Sequence, residues 1–242
     1  MPSEAMLKLL EARHANSKKV RNETDPLEEI RADQAAQAVA QVFDAEIGFE
    51  DVDAGGVPAI WVTPPGAARD LAYLFFHGGA YVKANVSINH KVVINACQAL
   101  GARGLTVDYR VGPEHPYPAA VEDALAAYHY LLRQGIAPGR IVVSGSSAGG
   151  GLTLALLLAL RDAGEPLPSV GVPISPWADL TQSGDSIRSR AERDPALTKR
   201  YLDRFAADYL AGHDGRDPLA SPVFADYRGL PPLLVQVGSE EV

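Results

Sequence analysis

The sequence is poor in cysteine, since Cys97 is the only one among its 242 residues. A single thiol cannot form a disulfide within the chain, and metal sites built from pairs of cysteines are excluded as well. Long apolar runs are also missing. The longest, residues 152–160, is far shorter than the roughly 20 residues that a membrane-spanning helix needs. Residues 1–19 contain acidic side chains and no continuous apolar core, so they do not resemble a secretory signal.

The chain also lacks an excess of positive charge. Its formal net charge is −8 and it has no long run of lysine or arginine, which argues against a nucleic-acid partner. With 47% hydrophobic and 21% charged residues, the composition is that of an ordinary globular protein that can bury a sizeable core. We therefore expect a cytoplasmic protein with no stable membrane insertion, and we leave self-association into a homo-oligomer open.

Strand-like and helix-like segments alternate along most of the chain. Apolar runs of about five or six residues suit strands that are buried on both faces. Strands that alternate with helices predict an α/β protein with a mostly parallel sheet and helices on both sides. The predicted strands are 59–63, 71–76, 104–109, 140–144, 169–175 and 232–238, and the helices between them are 87–100, 118–134 and 148–163.

Two regions lie outside this alternation. Near the N-terminus, residues 1–19 could form an amphipathic helix, and a second helix is marked by Asp25 as its N-cap and Pro26 at its first position. Later, residues 176–229 are polar and hold one amphipathic helix that begins after Thr198. We interpret this later stretch as an insertion over the C-terminal edge of the sheet.

Residues 145–149 read GSSAG and match the pattern G-x-S-x-G, with Ser147 at the centre. They follow a predicted strand and open a predicted helix, which is the context in which this pattern holds a nucleophilic serine. Such a serine needs a very sharp turn with a strained backbone at its centre. Side chains at Gly145 and Gly149 would collide with the neighbouring elements. We predict Ser147 as the nucleophile and give Ser146 no catalytic role; the alternative is a plain strand–helix junction with a glycine cap.

A second glycine-rich segment, FFHGGAYV at residues 75–82, places His-Gly-Gly after an apolar strand. Acyl transfer by a serine passes through a tetrahedral oxyanion, which needs two or three N–H donors aimed at the developing charge. Glycines let the backbone approach closely and expose such donors. Taken alone the segment favours a plain turn. Combined with the serine pattern, it predicts an oxyanion hole made by the N–H groups of Gly78, Gly79 and Ala148, while His77 belongs to the turn and transfers no proton.

Three stretches of the sequence form a recognisable set, and two further segments accompany them. The three are HGGAYV (77–82), DYRVGPEHPYPAAVED (108–123) and GSSAGG (145–150), and the two are ISPWADL (174–180) and LPPLLVQVGS (230–239). Through this set, from about residue 40 to its end, the sequence resembles the hormone-sensitive-lipase-like branch of the α/β-hydrolase superfamily. It departs from the family at two positions, because the family usually has a third glycine where Ala80 stands and often aspartate or threonine where Ser146 stands.

This resemblance implies an α/β-hydrolase fold and carboxylic-ester hydrolysis without a metal or an organic cofactor. It also implies a helical cap over the active site. In segment 108–123 we expect Arg110 to pair with an acid and His115 to be a turn residue. The implied division is residues 1–45 as N-terminal helices of the cap, 46–179 as the core, 180–212 as the cap insertion and 213–242 as the return to the core.

The proton of a nucleophilic serine must pass to a base, usually a histidine held by a carboxylate. In this fold the three residues follow the order serine, acid, histidine. Glu241 aligns best with the acid of the family and Glu240 is the alternative, unless both are solvated glutamates at a strand end. No histidine follows Glu241, and only His213 follows Ser147. We therefore expect a truncated, inactive form that lacks a final helix, a final strand and the histidine loop; a base borrowed from His213 is the alternative.

These observations predict a serine esterase whose substrate is a small-molecule ester with a short acyl chain. An alternative from another class is a small-molecule-binding relative that has lost catalysis, as the plant hormone receptors of the family have. Hydrolysis of lactones or amides is a third interpretation. The sequence does not name the acyl group, because the cap shapes the pocket that receives it.

Overall fold

The structure is a computed structural model, and it describes residues 8, 11, 24–39, 43–83 and 86–242. Its centre is a six-stranded sheet. The strands are β1 (Gly48–Asp53), β2 (Pro58–Thr63), β3 (Ala68–Phe76), β4 (Ala102–Val107), β5 (Ile141–Ser146) and β6 (Val170–Ile174). The helices are α1 (Leu27–Val39), α2 (His90–Leu100), α3 (Ala119–Arg133), α4 (Ala148–Asp162), α5 (Ser186–Ser189) and α6 (Lys199–Leu210).

The strands lie in the order β1-β2-β4-β3-β5-β6. Strand β1 is antiparallel to β2, and β2 is antiparallel to β4, whereas the other neighbouring pairs are parallel. The α/β class with a mostly parallel sheet is thus confirmed. Because parallel strands end at the same edge, the segments that follow β3, β5 and β6 come together there, which is where open α/β sheets bind their ligands.

Alternating side chains of β3 divide the core into two layers. Leu74 and Phe76 belong to a large apolar cluster with α3 and α4, whereas Tyr73 and Phe75 belong to a smaller cluster with α2. Successive side chains of a strand point to opposite faces, so a strand covered on both sides must be apolar at every position. This explains why the run 71–76 has no polar positions. None of the described helices is long and apolar enough to cross a membrane.

The first described helix begins one residue after the position that the sequence predicts. Helix α1 starts at Leu27, directly after Pro26. The helix predicted for residues 1–19 lies outside the described residues, apart from positions 8 and 11. Strand β1, by contrast, is not predicted by the sequence pattern. Three of its six residues are acidic and most are exposed, and β2 is its only neighbour in the described sheet, so no apolar run marks it.

The prediction of a continuous strand at residues 232–238 is wrong. The segment runs parallel to β6 but pairs with it at only two isolated bridges, between Gly171 and Leu233 and between Ile174 and Gln236. Among the described residues it has a strand on one side only, and its apolar run is not covered. The exposed fractions are 62% for Leu234, 52% for Val235 and 64% for Val237.

Candidate active site

Ser147 occupies a sharp turn between β5 and α4. Strand β5 ends at Ser146 and α4 begins at Ala148, so one residue makes the whole turn. Its backbone angles are φ 56° and ψ −118°, in a region that L-residues rarely adopt. Surrounding hydrogen bonds hold this conformation, because the Ser147 N–H donates to the Ile174 carbonyl at 2.9 Å and its own carbonyl accepts from the N–H of Trp177 at 2.9 Å. The strain expected of a nucleophile turn is therefore present.

Glycines on both sides of Ser147 are required by close backbone contacts. A Cβ atom at Gly145 would lie 2.1 Å from the carbonyl oxygen of Gly149. A Cβ atom at Gly149 would lie 2.0 Å from the carbonyl oxygen of Phe76. Both distances are far below any real carbon–oxygen contact, and in each case the obstacle is backbone that cannot rotate away. Helix α4 thus packs directly against the end of β3, as the steric interpretation of the sequence requires.

The loop after β3, residues 77–83, lies beside the serine turn. A Cβ atom at Gly78 would be 3.0 Å from the Ser146 carbonyl oxygen and 3.4 Å from the Ser147 Cβ, so Gly78 lies directly against the serine turn. Gly79 has a φ of 135°, and a Cβ there would be 2.3 Å from the Lys83 carbonyl oxygen. The Gly79 carbonyl closes the loop by accepting the N–H groups of Val82 and Lys83, at 3.1 and 2.8 Å. The loop therefore depends on glycine at position 79.

Three backbone N–H groups at this junction have no hydrogen-bond acceptor among the described residues. Within the described part of the chain, the N–H groups of Gly78, Gly79 and Ala148 donate to no protein acceptor. Gly78, Gly79 and Ser147 are half-buried, so a small molecule can reach them, whereas Ala148 is buried at the first position of α4. Unpaired N–H groups at a helix N-terminus favour negative charge. The structure brings together the serine and the three donors that the sequence singled out.

Side chains of the insertion cover the end of this loop. The Tyr81 ring stacks on the Tyr209 ring of α6 at a centroid distance of 4.1 Å and an interplanar angle of 9°. Helix α6 has Thr198 as its N-cap, and the Thr198 hydroxyl accepts the N–H of Tyr201 at 3.2 Å. The amphipathic helix predicted after Thr198 is confirmed, and its apolar side packs against the loop.

Arg31 of α1 ties the N-terminal helix to the same loop. Its guanidinium donates to the Val82 carbonyl at 2.8 and 2.9 Å and to the Gly112 carbonyl at 2.9 Å. It also forms a bidentate ion pair with the Glu114 carboxylate, with N–O distances of 2.7 and 2.8 Å. The hydrogen bond from Arg31 lowers the pKa of Glu114 to about 2. Sequence patterns could not identify this contact, because it joins residues more than 50 positions apart.

The segment that contains Arg110 is fixed by a carboxylate, as predicted. Asp123 of α3 is buried and accepts the Arg110 backbone N–H at 2.7 Å and its guanidinium at 2.7 and 2.9 Å. Glu122 adds a second contact at 2.9 Å. The prediction that Arg110 pairs with an acid is confirmed. His115, expected to be a turn residue, is exposed.

Glu241 contacts a residue next to the serine turn. Its carboxylate accepts the Ser175 hydroxyl at 2.9 Å, and Ser175 directly follows the residue whose carbonyl holds the Ser147 N–H. Glu240 points elsewhere and forms an ion pair with Arg193 at 2.5 Å. Both glutamates are exposed. The structure therefore separates the two candidate acids, with Glu241 on the side of the serine turn.

The ring of His213 lies in the polar stretch 176–229, three residues after the end of α6. It meets Tyr117 edge-on at a centroid distance of 5.5 Å, and its residue is exposed. No described contact joins it to Ser147 or Glu241. The described residues also contain no cluster of three or more His, Cys, Asp or Glu side chains that could hold a metal ion. The site consists of a serine, backbone donors and a nearby carboxylate.

Comparison with known proteins agrees with this geometry. Residues 73–242 match the model of a family described by the alpha/beta hydrolase fold. Over 192 residues the chain is 51% identical to an acetyl-hydrolase of Streptomyces hygroscopicus, with 79% of this chain and 64% of the relative covered. It is 38% identical over 167 residues to an esterase of Acinetobacter venetianus, with 69% and 55% covered. The chain thus spans less than two thirds of the length of these curated relatives.

Solved structures extend the similarity to nearly the whole chain. An esterase/lipase from an uncultured bacterium superposes with a TM-score of 0.91 at 42% identity, covering 99% of this chain and 80% of that one. An esterase of the bacterial hormone-sensitive lipase family superposes with a TM-score of 0.92 at 40% identity, covering 100% and 80%. A crystal of the esterase EstE5 soaked with p-nitrophenyl butyrate has a TM-score of 0.92 at 43% identity, covering 99% and 80%.

Proposed function

The chain belongs to the hormone-sensitive-lipase-like branch of the α/β-hydrolase superfamily, and on that premise we propose that the protein is a serine esterase of short-chain acyl esters. One observation carries the proposal. Ser147 has a strained backbone beside three N–H groups that have no acceptor among the described residues. A strained turn of this shape is costly to maintain. It is useful when a serine hydroxyl must project toward a substrate whose developing oxyanion the neighbouring N–H groups bind.

The proposed reaction starts with attack of the Ser147 Oγ on the acyl carbonyl carbon. The carbonyl oxygen becomes an oxyanion, which the N–H groups of Gly78, Gly79 and Ala148 stabilise. The Ser147 hydroxyl gives its proton to a general base during the attack, and the base returns it to the departing alcohol when this intermediate collapses. The acyl-serine that remains is hydrolysed by water through the same steps. The chemistry uses side chains and backbone donors alone and requires no metal or organic cofactor.

We assign Glu241 as the acid that orients the base and stabilises its protonated form. Its contact with Ser175 supports this role, since that contact holds the carboxylate beside the strand end that also binds the Ser147 backbone. Glu240 is the weaker candidate, because Arg193 already neutralises it. The base of a triad would be a histidine. We do not assign that role to His213, because its ring packs against Tyr117 and has no described contact with Ser147 or Glu241.

We also propose that α1 and the 180–212 insertion act as a cap that shapes the acyl and alcohol pockets. Two contacts support this role: Arg31 binds the Val82 carbonyl at the end of the loop, and Tyr209 stacks on Tyr81 within it. A relative has been soaked with p-nitrophenyl butyrate, so short p-nitrophenyl esters are a rational first set of substrates.

Labelling with a fluorophosphonate, combined with hydrolysis of p-nitrophenyl acetate, tests the proposal in a form of the protein that contains the general base. Ser147→Ala should abolish both signals, whereas the matched control Ser146→Ala should retain most of each. Unchanged labelling of Ser147→Ala would refute the assignment of the nucleophile. Tight binding of a small ester or acid with no turnover and no labelling would instead favour the receptor-like alternative.

A further inference from the structure

Two carbonyl groups of the loop after β3 are each held by a buried ring. The Tyr109 hydroxyl donates to the His77 carbonyl oxygen at 2.7 Å. The Nδ1 atom of His77 lies 2.7 Å from the Gly78 carbonyl oxygen, and since a carbonyl can only accept, this nitrogen carries the proton. Both residues are only 1% exposed. The two contacts therefore persist without competition from water.

These contacts control where two N–H groups point. A trans peptide unit is planar, and its C=O and N–H point in opposite directions. The His77 carbonyl shares a peptide unit with the Gly78 N–H, and the Gly78 carbonyl shares one with the Gly79 N–H. Fixing the two carbonyls thus fixes the two loop donors. We propose that His77 and Tyr109 are positioning residues that aim the oxyanion donors of the loop, an inference that rests on the proposed esterase function.

Glycine makes such positioning necessary. The peptide unit between Gly78 and Gly79 has no Cβ on either side, so steric contacts of side chains do not prevent its rotation. The hydrogen bond from the His77 ring supplies the restraint that side-chain contacts would supply elsewhere. Pre-aimed donors act in the transition state without having to reorganise, and this is the main source of their catalytic value.

The two rings also hold each other in place. They stack at a centroid distance of 4.2 Å with an interplanar angle of 9°. Burial lowers the pKa of His77, so the ring is neutral at neutral pH with its proton on Nδ1. The Nε2 atom has no hydrogen-bond partner within the described residues. The only polar contact of the imidazole among these residues is therefore the loop carbonyl, which distinguishes it from a proton-transfer group.

Tyr109→Phe tests the inference most cleanly, because it removes one hydroxyl and keeps the ring stack. We expect kcat for p-nitrophenyl acetate to fall about tenfold, as for loss of one hydrogen bond felt mainly in the transition state, with KM nearly unchanged. The matched control is Tyr128→Phe, since the Tyr128 hydroxyl is also buried and donates to a carbonyl, that of Pro166, at 2.7 Å. It should lose stability to a similar extent and keep its kcat. His77→Phe, which retains a stacked ring without a donor, should lower kcat at least as much.

A second measurement does not depend on turnover. The ¹⁵N spectrum of histidine-labelled protein should show His77 as the Nδ1–H tautomer at neutral pH. The Nε2–H tautomer, or a Tyr109→Phe variant with full kcat in a protein whose hydrolysis requires Ser147, would overturn the inference and leave the proposed function standing. Absence of Ser147-dependent hydrolysis in the unaltered protein would overturn the proposed function itself and the positioning role with it.

Discussion

Residues 77–83 and residues 237–241 both lie at the carboxyl edge of the sheet, yet the fold holds them in opposite ways. The first segment is enclosed: Tyr81 and Val82 are fully buried, and the atom nearest to a Cβ placed at either glycine is a backbone carbonyl oxygen. The second is exposed, and its one contact toward the serine turn is the hydrogen bond between Ser175 and Glu241. The proposed nucleophile and its proposed donors thus depend on packing, whereas the proposed acid depends on polar contacts.

This difference separates two kinds of mutational damage. On the enclosed side, a single methyl group meets backbone atoms, so substitutions should damage folding and chemistry together. On the exposed side, a substitution should leave the fold intact and alter only the chemistry.

Glu241→Gln should produce the largest effect in a form of the protein that contains the general base. Replacing the acid of a triad by its amide lowers kcat by about 10³- to 10⁴-fold, because the base loses the charge and orientation that the carboxylate supplies. The midpoint of thermal unfolding should not change, since the residue is exposed. The control Glu240→Gln removes only the ion pair with Arg193 and should retain its turnover. Equal turnover of both variants would remove Glu241 from the mechanism.

Gly149→Ala should be the most destabilising change on the enclosed side. The new Cβ would lie 2.0 Å from the Phe76 carbonyl oxygen, and neither element can yield without separating α4 from β3. We expect the free energy of unfolding to fall by about 3 kcal/mol or more in urea titrations. The control Gly139→Ala places its Cβ in open space, with no heavy atom within 4 Å. Comparable losses in both variants would contradict the steric explanation.

Arg31→Ala should have an intermediate effect. It leaves the Val82 and Gly112 carbonyls without their charged donor, which should lower the free energy of unfolding by about 1–3 kcal/mol. The control Arg140→Ala loses an exposed pair with Asp70 and should change stability by less than about 1 kcal/mol.

The pairing of Arg31 with Glu114 should depend on pH in a defined direction. The pKa of Glu114 is lowered to about 2 in the folded protein by the hydrogen bond from Arg31, against an ordinary value near 4.3 when unfolded. Its contribution is therefore present at neutral pH and at pH 5, and it is lost as the pH falls through about 2. An effect of Arg31→Ala that vanished between pH 7 and pH 5 would contradict this assignment.

His213→Ala should have the smallest effect. Removing a true general base costs about 10²- to 10⁴-fold in rate, whereas the exposed ring on Tyr117 should cost less than about twofold. Kinetics with p-nitrophenyl acetate would decide between the two. Loss of turnover without loss of folding would mean that the insertion supplies the base after all.

Most of the enclosed side could be predicted from the sequence. The pattern around Ser147 has a steric requirement that does not depend on the rest of the fold, and the glycines at 145 and 149 encode it directly. Strands that are buried on both faces also appear in the sequence as apolar runs, as β3 and β5 do. Local geometry of this kind is contained in a few consecutive residues.

The remainder depends on contacts between distant parts of the chain. Arg31 and Val82 are 51 positions apart in the sequence, and His77 and Tyr109 are 32 apart. No local sequence pattern therefore predicts either contact. Strand β1 carries three acidic residues among its six because it lies at the sheet edge with most of its side chains exposed. The segment 232–238 has the apolar composition of a buried strand but not its pairing, because composition does not specify how many neighbours a strand has.

The glycine contacts around Ser147 also limit how this site can diversify. Directed-evolution libraries that randomise positions 145 or 149 should consist almost entirely of unfolded members, because both positions exclude even a methyl group. Libraries at Ser146, which is half-buried, or in the insertion should retain folded variants in useful numbers. Exchange of the hydroxyl at position 147 for a thiol leaves every backbone contact in place. New activities in this scaffold should therefore arise by replacing what surrounds the turn, while the turn itself is inherited unchanged.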